Sequence, residues 1–411
     1  MRKSSIDRGW KKGMEKMKQD KRLLILNGSH SEIPLIQEAK KLGYYVVTSG
    51  NAPELIGHTY ADEYVYGDYS DQEKMLEIVK EKDITAVCSC ANDFGIITAA
   101  YISEQMGWKG HDSYETTLLL HEKHRFKRFA RVHQLRTPMA DVFTTLEDAV
   151  QKKNEYVYPV IVKPVDLTGG KGVSRVDNCE EYVKAVKMAL ERSIQGKIVV
   201  EKFLTGTYHS FSTFLVNEKV IASFSDNEYS FINPYFVATS GGPATDIGLV
   251  RDLLTEQVEL IARELHLVNG VFHIQYVLSE GEPYIMDITR RCSGDLYPEP
   301  VEHAMGIPWA KWIVMSECGY HTDVFRERGE QKIYCGRHCV MAEKNGVVRD
   351  VVIDPAIKKN IYQDLLWWKP GDRIDNYLVD KLGILFLEYE SEREMVEKIA
   401  NIKNLVRVVV E

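Results

Sequence analysis

No stretch of this 411-residue sequence is both apolar and long enough to span a bilayer. The longest weakly charged run, Ile84 to Ser103, contains Asn92, Asp93 and Gly95 and reads as strand, turn and helix. The first 20 residues lack the apolar core of a secretory signal; they are basic and mildly amphipathic. Cysteine is scarce and unpatterned, with seven residues at Cys88, Cys90, Cys179, Cys292, Cys318, Cys335 and Cys339. An odd count without framework spacing excludes a disulfide scaffold and points to reduced thiols and a cytoplasmic location. Positive charge is not in excess either. A formal net charge of −8 excludes a general nucleic-acid binder. The first apolar strand is followed only by Gly28, not by G-x-G-x-x-G, and no glycine loop ends in Gly-Lys-Ser/Thr. Neither a dinucleotide fingerprint nor a P-loop is present. Internal repeats and low-complexity tracts are absent, which excludes a solenoid.

What remains is an ordinary globular composition, 44% hydrophobic and 27% charged, in a chain long enough for two or three domains. Apolar strand patterns at Arg22–Leu26, Tyr44–Thr48 and Ile84–Cys88 alternate with helical patterns at Ile33–Leu42 and Asp71–Glu81. That alternation predicts a parallel sheet. A basic helix over His121–Leu135 is stopped by Thr137-Pro138. Helices follow at Leu146–Tyr156, Asn178–Arg192 and Leu249–Leu265. Hairpins are expected over His209–Val216 with Lys219–Phe224, and over Val271–Leu278 with Pro283–Ile288. The chain closes with a helix from Glu392 to Ile402, capped by Ser391 and Glu394, and a strand from Leu405 to Val410.

The densest chemical signal lies at Val160-Ile161-Val162-Lys163-Pro164 and Thr168-Gly169-Gly170-Lys171-Gly172. A buried strand ends in a lysine, and a glycine loop carries a second. Glycines let backbone N–H groups approach an anion closely, and the two ammonium groups would close over a polyphosphate. Downstream, Glu201-Lys202-Phe203-Leu204 ends a strand, and Asp287-Ile288-Thr289-Arg290-Arg291 ends a hairpin. Neighbours on a strand point to opposite faces, so only one of Arg290 and Arg291 can face a site.

In this order the pieces resemble the ATP-grasp superfamily, in its biotin-carboxylase and carbamoyl-phosphate-synthase-like branch, from about Lys21 to Ile402. The resemblance implies an α/β fold, α+β in its centre. It implies an extension over 1–20, a parallel-sheet pre-ATP-grasp (Rossmann-like) domain over 21–118, a two-subdomain ATP-grasp domain over 119–320 and a small β-rich domain over 321–411. It implies ATP with magnesium, or manganese in its place. By the match, Lys123 and Lys163 would face phosphates, and Gly169, Gly170, Lys171 and Gly172 would form the lid. Glu201, Lys202, Phe203 and Leu204 would receive adenine, with Glu201 reading the base edge, and Tyr208 would stand near the ribose. Gln275, Asp287 and Thr289 would hold the metal, and Arg291 with Lys171 would act on the reacting groups.

The chemistry so implied is activation of a carboxylate as an acyl phosphate, then attack by an amine, with small-molecule substrates, no membrane and, as one assembly allowed, a homodimer. The sequence departs from the family where Tyr208 replaces an acidic residue, Gln275 and Asp287 replace glutamates, and Thr289 replaces asparagine. These changes keep open a catalytically weakened nucleotide-binding relative. A bicarbonate-activating carboxylase or carbamoyl-phosphate-synthase-like enzyme is the other alternative. Against it, Ser225-Asp226-Asn227-Glu228 is acidic where biotin carboxylases are basic, and no Met-Lys-Met occurs. His209 and His273 read as packed histidines, Cys292 as a non-nucleophile, and Cys335 and Cys339 as core residues rather than zinc ligands. Ser240 to Thr245 reads as a loop, either a mobile one beside the acceptor or a plain surface loop.

Overall fold

A computed structural model describes residues 21–89, 91–167, 171–325 and 329–411. The expected N-terminal extension, Cys90, Thr168 and the expected lid residues Gly169 and Gly170 lie outside the described residues. Strands β1 (Arg22–Leu26), β2 (Tyr45–Gly50), β3 (Glu63–Tyr66) and β4 (Ala86–Cys88) form a parallel sheet in the order β3-β2-β1-β4. β1 is central, so its run of leucines and isoleucine is buried on both faces. Side-chain caps start the flanking helices. Asp71 accepts from Lys74 N ahead of Gln72–Glu81, and Asn92 accepts from Phe94 N ahead of Asp93–Met106.

The next sheet carries β5 (Ala140–Phe143), β6 (Val160–Pro164), β7 (Ser174–Val176) and β8 (Ile198–Lys202), antiparallel throughout in the order β5-β8-β6-β7. Helix Cys179–Arg192 covers it, burying Tyr182, Ala185, Val186 and Ala189 at helical spacing.

The remaining strands are β9 (Thr207–Val216), β10 (Lys219–Tyr229), β11 (Thr239–Gly242), β12 (Gly270–Ser279), β13 (Glu282–Thr289), β14 (Tyr334–Val340), β15 (Gly346–Ile353), β16 (Ile361–Leu366), β17 (Arg373–Ile374), β18 (Gly383–Tyr389) and β19 (Val406–Val410). Eight of them build one sheet in the order β13-β12-β9-β10-β11-β14-β18-β16, and β17-β15-β19 form a small one. The large sheet therefore runs across the boundary expected at 320/321.

Several expectations need correction. Residues 240–242 are not a loop: they belong to β11, which pairs with β10 on one side and β14 on the other. Ser240, Gly241 and Gly242 are small because strands and side chains close in on them; a Cβ on Gly242 would run into the Ser225 carbonyl oxygen. The basic helix is shorter than expected, Lys123–Val132, and follows a separate helix, Tyr114–His121, across an extended Glu122. Helix Leu146–Gln151 is shorter than expected, and β10 is longer, reaching Tyr229.

Candidate active site

The site forms where the four-stranded antiparallel sheet faces the edge of the large one. Lys163 at the end of β6 is 8% exposed and lies 2.8 Å from Glu201 of β8. Lys127, on helix Lys123–Val132, meets the other oxygen of the same carboxylate at 3.2 Å. Glu201 is 1% exposed. Burial alone would raise its carboxyl, but the two ammonium groups hold it down at about 2. Burial in turn lowers Lys127, which also feels Asp287 of the large sheet. Two lysines and one carboxylate leave one positive charge facing the cleft.

This arrangement changes two expected roles. The Glu201 carboxylate is committed to lysines rather than turned toward a base, because two desolvated ammonium groups need a counter-charge. The Lys202 and Phe203 N–H groups are also taken, by Met139 and Pro159 carbonyls. Lys123 donates to the Leu167 carbonyl at 3.2 Å, at the root of the glycine loop, and lies near Asp93. The lysine paired with Lys163 through Glu201 is Lys127, one helical turn on, which sequence reasoning missed. Its signal was the i, i+4 spacing from Lys123 on one helix face.

Lys171 is exposed, and Gly172 takes a left-handed φ of +75° as the loop re-enters β7. Arg175 of β7 stacks its guanidinium 4.5 Å from the Phe203 ring centre, and its N–H donates to the Tyr235 hydroxyl at 3.2 Å. β7 is thus tied both to Phe203 and to the segment between β10 and β11. Tyr208, at the start of β9, is about half exposed, and Leu204 is buried.

On the large sheet, Gln275 of β12 pairs directly opposite Asp287 of β13, and His273 opposite Thr289. These side chains line a cavity of about 210 Å³ together with Asp93, Glu228, Arg291 and Arg337. Arg291 faces this cavity and is bound to Asp93 at 2.7 Å. Arg290 points the other way, into a buried pair with Asp112 at 2.8 Å. Burial opposes ionisation of Asp93, yet Arg291, His121 and Lys123 hold it well below the usual carboxylate range. His273 lines the cavity beside Ser212 at 2.6 Å. Burial, with Arg291 and Arg337 adding to it, pushes it down to about 3, so it stands there neutral. His209 is stacked on Tyr276 and buried. The Cys292 thiol is driven far up by burial, as a nucleophile's would not be. Cys335 and Cys339 are fully buried in β14.

Glu228, Asp93 and Arg337 were not named from the sequence as site residues. Gln275 Nε2 donates to both oxygens of Glu228, at 2.9 and 3.0 Å. Burial and the nearby Asp226 carboxylate push Glu228 up to about 8, against the opposing pull of Gln275 and Arg337. Arg337 of β14 is 5% exposed, and its Nε has no hydrogen-bond partner.

The oxygen set suits magnesium. Asp287 offers a carboxylate, Gln275 an amide oxygen and Thr289 a buried hydroxyl with no hydrogen-bond partner. Among the described residues no three His, Cys, Asp or Glu side chains converge as a preformed cage. The ion would complete its shell with water and phosphate oxygens.

The ATP-grasp (A) domain profile of phosphoribosylglycinamide synthetase matches residues 121–233. These residues hold both lysines, Glu201 and the glycine loop. Over 95% of the chain the fold superposes on 99% of the L-amino acid ligase from Bacillus licheniformis, with a TM-score of 0.80 at 18% identity. The chain has the ATP-grasp fold. Phosphoribosylglycinamide synthetase from Anaerococcus prevotii is similar over 95% of this chain and 100% of its own, with a TM-score of 0.75 and 20% identity. Among curated relatives, the carbamoyl phosphate synthase large chain of Thermoanaerobacter sp. (strain X514) is 24% identical over 309 residues, 69% of this chain and 27% of that one. The chain thus spans about a quarter of the length of that relative. The lysine cluster lies against the antiparallel four-stranded sheet, and Asp287 lies on β13 of the large sheet. No helix among the described residues is long and apolar enough to cross a membrane.

Proposed function

We propose that the chain is an ATP-dependent ligase that activates a small carboxylate as an acyl phosphate and couples it to an amine, releasing ADP and phosphate. One observation carries this reading: Lys127 and Lys163, from separate segments, meet over Glu201 within electrostatic reach of Asp287 across the cleft. Phosphoryl transfer asks the protein mainly to position the reactants and neutralise spreading charge. The lysine cluster answers the charge of the triphosphate tail. Lys171 and the glycine lid would close over it. Asp287, Gln275 and Thr289 would hold magnesium, which supplies charge neutralisation between the phosphoryl oxygens. Arg291, fixed by Asp93, faces the cavity where a carboxylate or an acyl phosphate would sit, and a guanidinium fork suits either.

The amine follows from the cavity's own charge. Glu228, Asp287, Asp93 and Asp295 line it beside two arginines. This mixed-charge lining suits a zwitterionic acceptor. Fluorescent ADP should bind the wild type and bind Lys163→Met at least tenfold more weakly. Phosphate release from MgATP should require a carboxylate and an amine together. Equal affinity in Lys163→Met defeats the assignment. Bicarbonate-dependent release without amine favours the carboxyphosphate-forming alternative. Tight binding without turnover across a broad panel of amino acids marks a weakened relative.

A further inference from the structure

The metal set has a neutral member on the strand next to Asp287, and the structure shows what that residue does with its amide. Gln275 gives both hydrogen-bonding contacts of its Nε2 to Glu228. An amide whose nitrogen is fixed has its oxygen fixed as well, because the two lie on one planar group about 120° apart. Glu228 sits on β10, two strands beyond β12, whereas Asp287 is the direct register partner of Gln275 on the opposite side. Clamping Nε2 toward β10 leaves Oε1 for the β13 side, where Asp287 and the unpartnered Thr289 hydroxyl lie.

We propose that Glu228 is a positioning residue for the metal site: it orients the Gln275 amide so that its oxygen joins Asp287 and Thr289 around a divalent cation. This rests on the nucleotide-dependent reading above and deepens it. Groups that orient metal ligands have large effects; their loss weakens metal affinity by about 10–100-fold. Glu228 and Gln275 also form an exchangeable pair, since an amide at 228 could donate in the same way to a carboxyl at 275.

The test uses the full chain saturated with ADP and titrated with Mn²⁺, free ion being counted by electron paramagnetic resonance. Binding of fluorescent ADP without metal is measured in parallel. Glu228→Leu should weaken Mn²⁺ binding at least tenfold and leave metal-free ADP binding within twofold. Glu228→Gln, which keeps one of the two acceptor oxygens for the Gln275 amide, should fall in between. The exchanged variant Glu228→Gln/Gln275→Glu should return to within about threefold of the wild type. Unchanged Mn²⁺ affinity in Glu228→Leu overturns the proposal while the ligase reading stands. Where that variant does not fold, the exchanged variant decides: an affinity no better than that of Glu228→Gln alone overturns it. A wild type that binds no nucleotide overturns both readings.

Discussion

At the scale of residues, the site is a set of charges matched inside a low-dielectric cleft. Glu201 ionises against its burial because two lysines need it, and this makes its contribution to stability pH-dependent. Its folded pKa, about 2, lies below the ordinary value of 4.5. A depressed carboxyl stabilises the fold fully above its unfolded pKa, and the contribution is lost as pH falls toward the folded one. The shift corresponds to an upper bound on the order of 3 kcal/mol. The gap in urea midpoint between wild type and Glu201→Gln should be constant from pH 8 to 5.5 and close progressively below about pH 4.5. A gap independent of pH across that window would show that the lysines do not hold the carboxylate ionised.

Elements decide which of these residues share a face. Ser210 and Ser212 on β9, Asp226 and Glu228 on β10, His273 and Gln275 on β12, and Asp287 and Thr289 on β13 each stand two apart, and the register joins them into one polar surface. The hairpins were legible from alternation and turns, so Gln275 and Asp287 could be placed on neighbouring strands without coordinates. Glu228 could not, because the apolar alternation of β10 stops at Phe224 while the strand runs on to Tyr229. Its polar residues pair with cavity groups instead of core, and this looks like a loop to a pattern built on hydrophobicity. The same blindness hid β11, where glycine and serine mark close packing and not mobility.

The seam between β11 and β14, which joins strands β9–β13 to β14, β16 and β18, is tight at such a glycine. A Cβ on Gly336 would lie 2.7 Å from the Ser240 carbonyl oxygen. Gly336→Ala should therefore destabilise by about 1–3 kcal/mol. Gly248, in the first turn of helix Ile247–Leu265, has open space around the same position. Gly248→Ala should be neutral or stabilise by about 0.4–1 kcal/mol through helix propensity and a less flexible unfolded chain. Chemical denaturation of both variants checks the contrast. Equal effects would mean that the seam yields to the added methyl.

At the scale of the molecule, the parallel sheet is held to the large sheet by buried charge as well as by packing. Arg291 reaches Asp93, Arg290 reaches Asp112, and His111 with Ser89 meets Glu317; all three contacts join residues 89–112 to residues 290–317. The Arg290 guanidinium also donates to the Val268 and Val271 carbonyls, so it pins β12 to the segment that carries Asp112. Arg290→Met removes the cation and leaves Asp112 buried without a counter-charge, which should cost about 3–5 kcal/mol. Neutralising the survivor as well, in Arg290→Met/Asp112→Asn, should recover part of that loss, because most of the penalty belongs to the stranded carboxylate rather than to the missing bond. Urea unfolding followed by fluorescence and circular dichroism gives both numbers. A double variant as unstable as the sum of the two singles would mean that each residue acts alone. The arginine that turns away from the cavity would then have no part in locking the two sheets together, and the placing of Arg291, its neighbour on the same strand end, would need another cause.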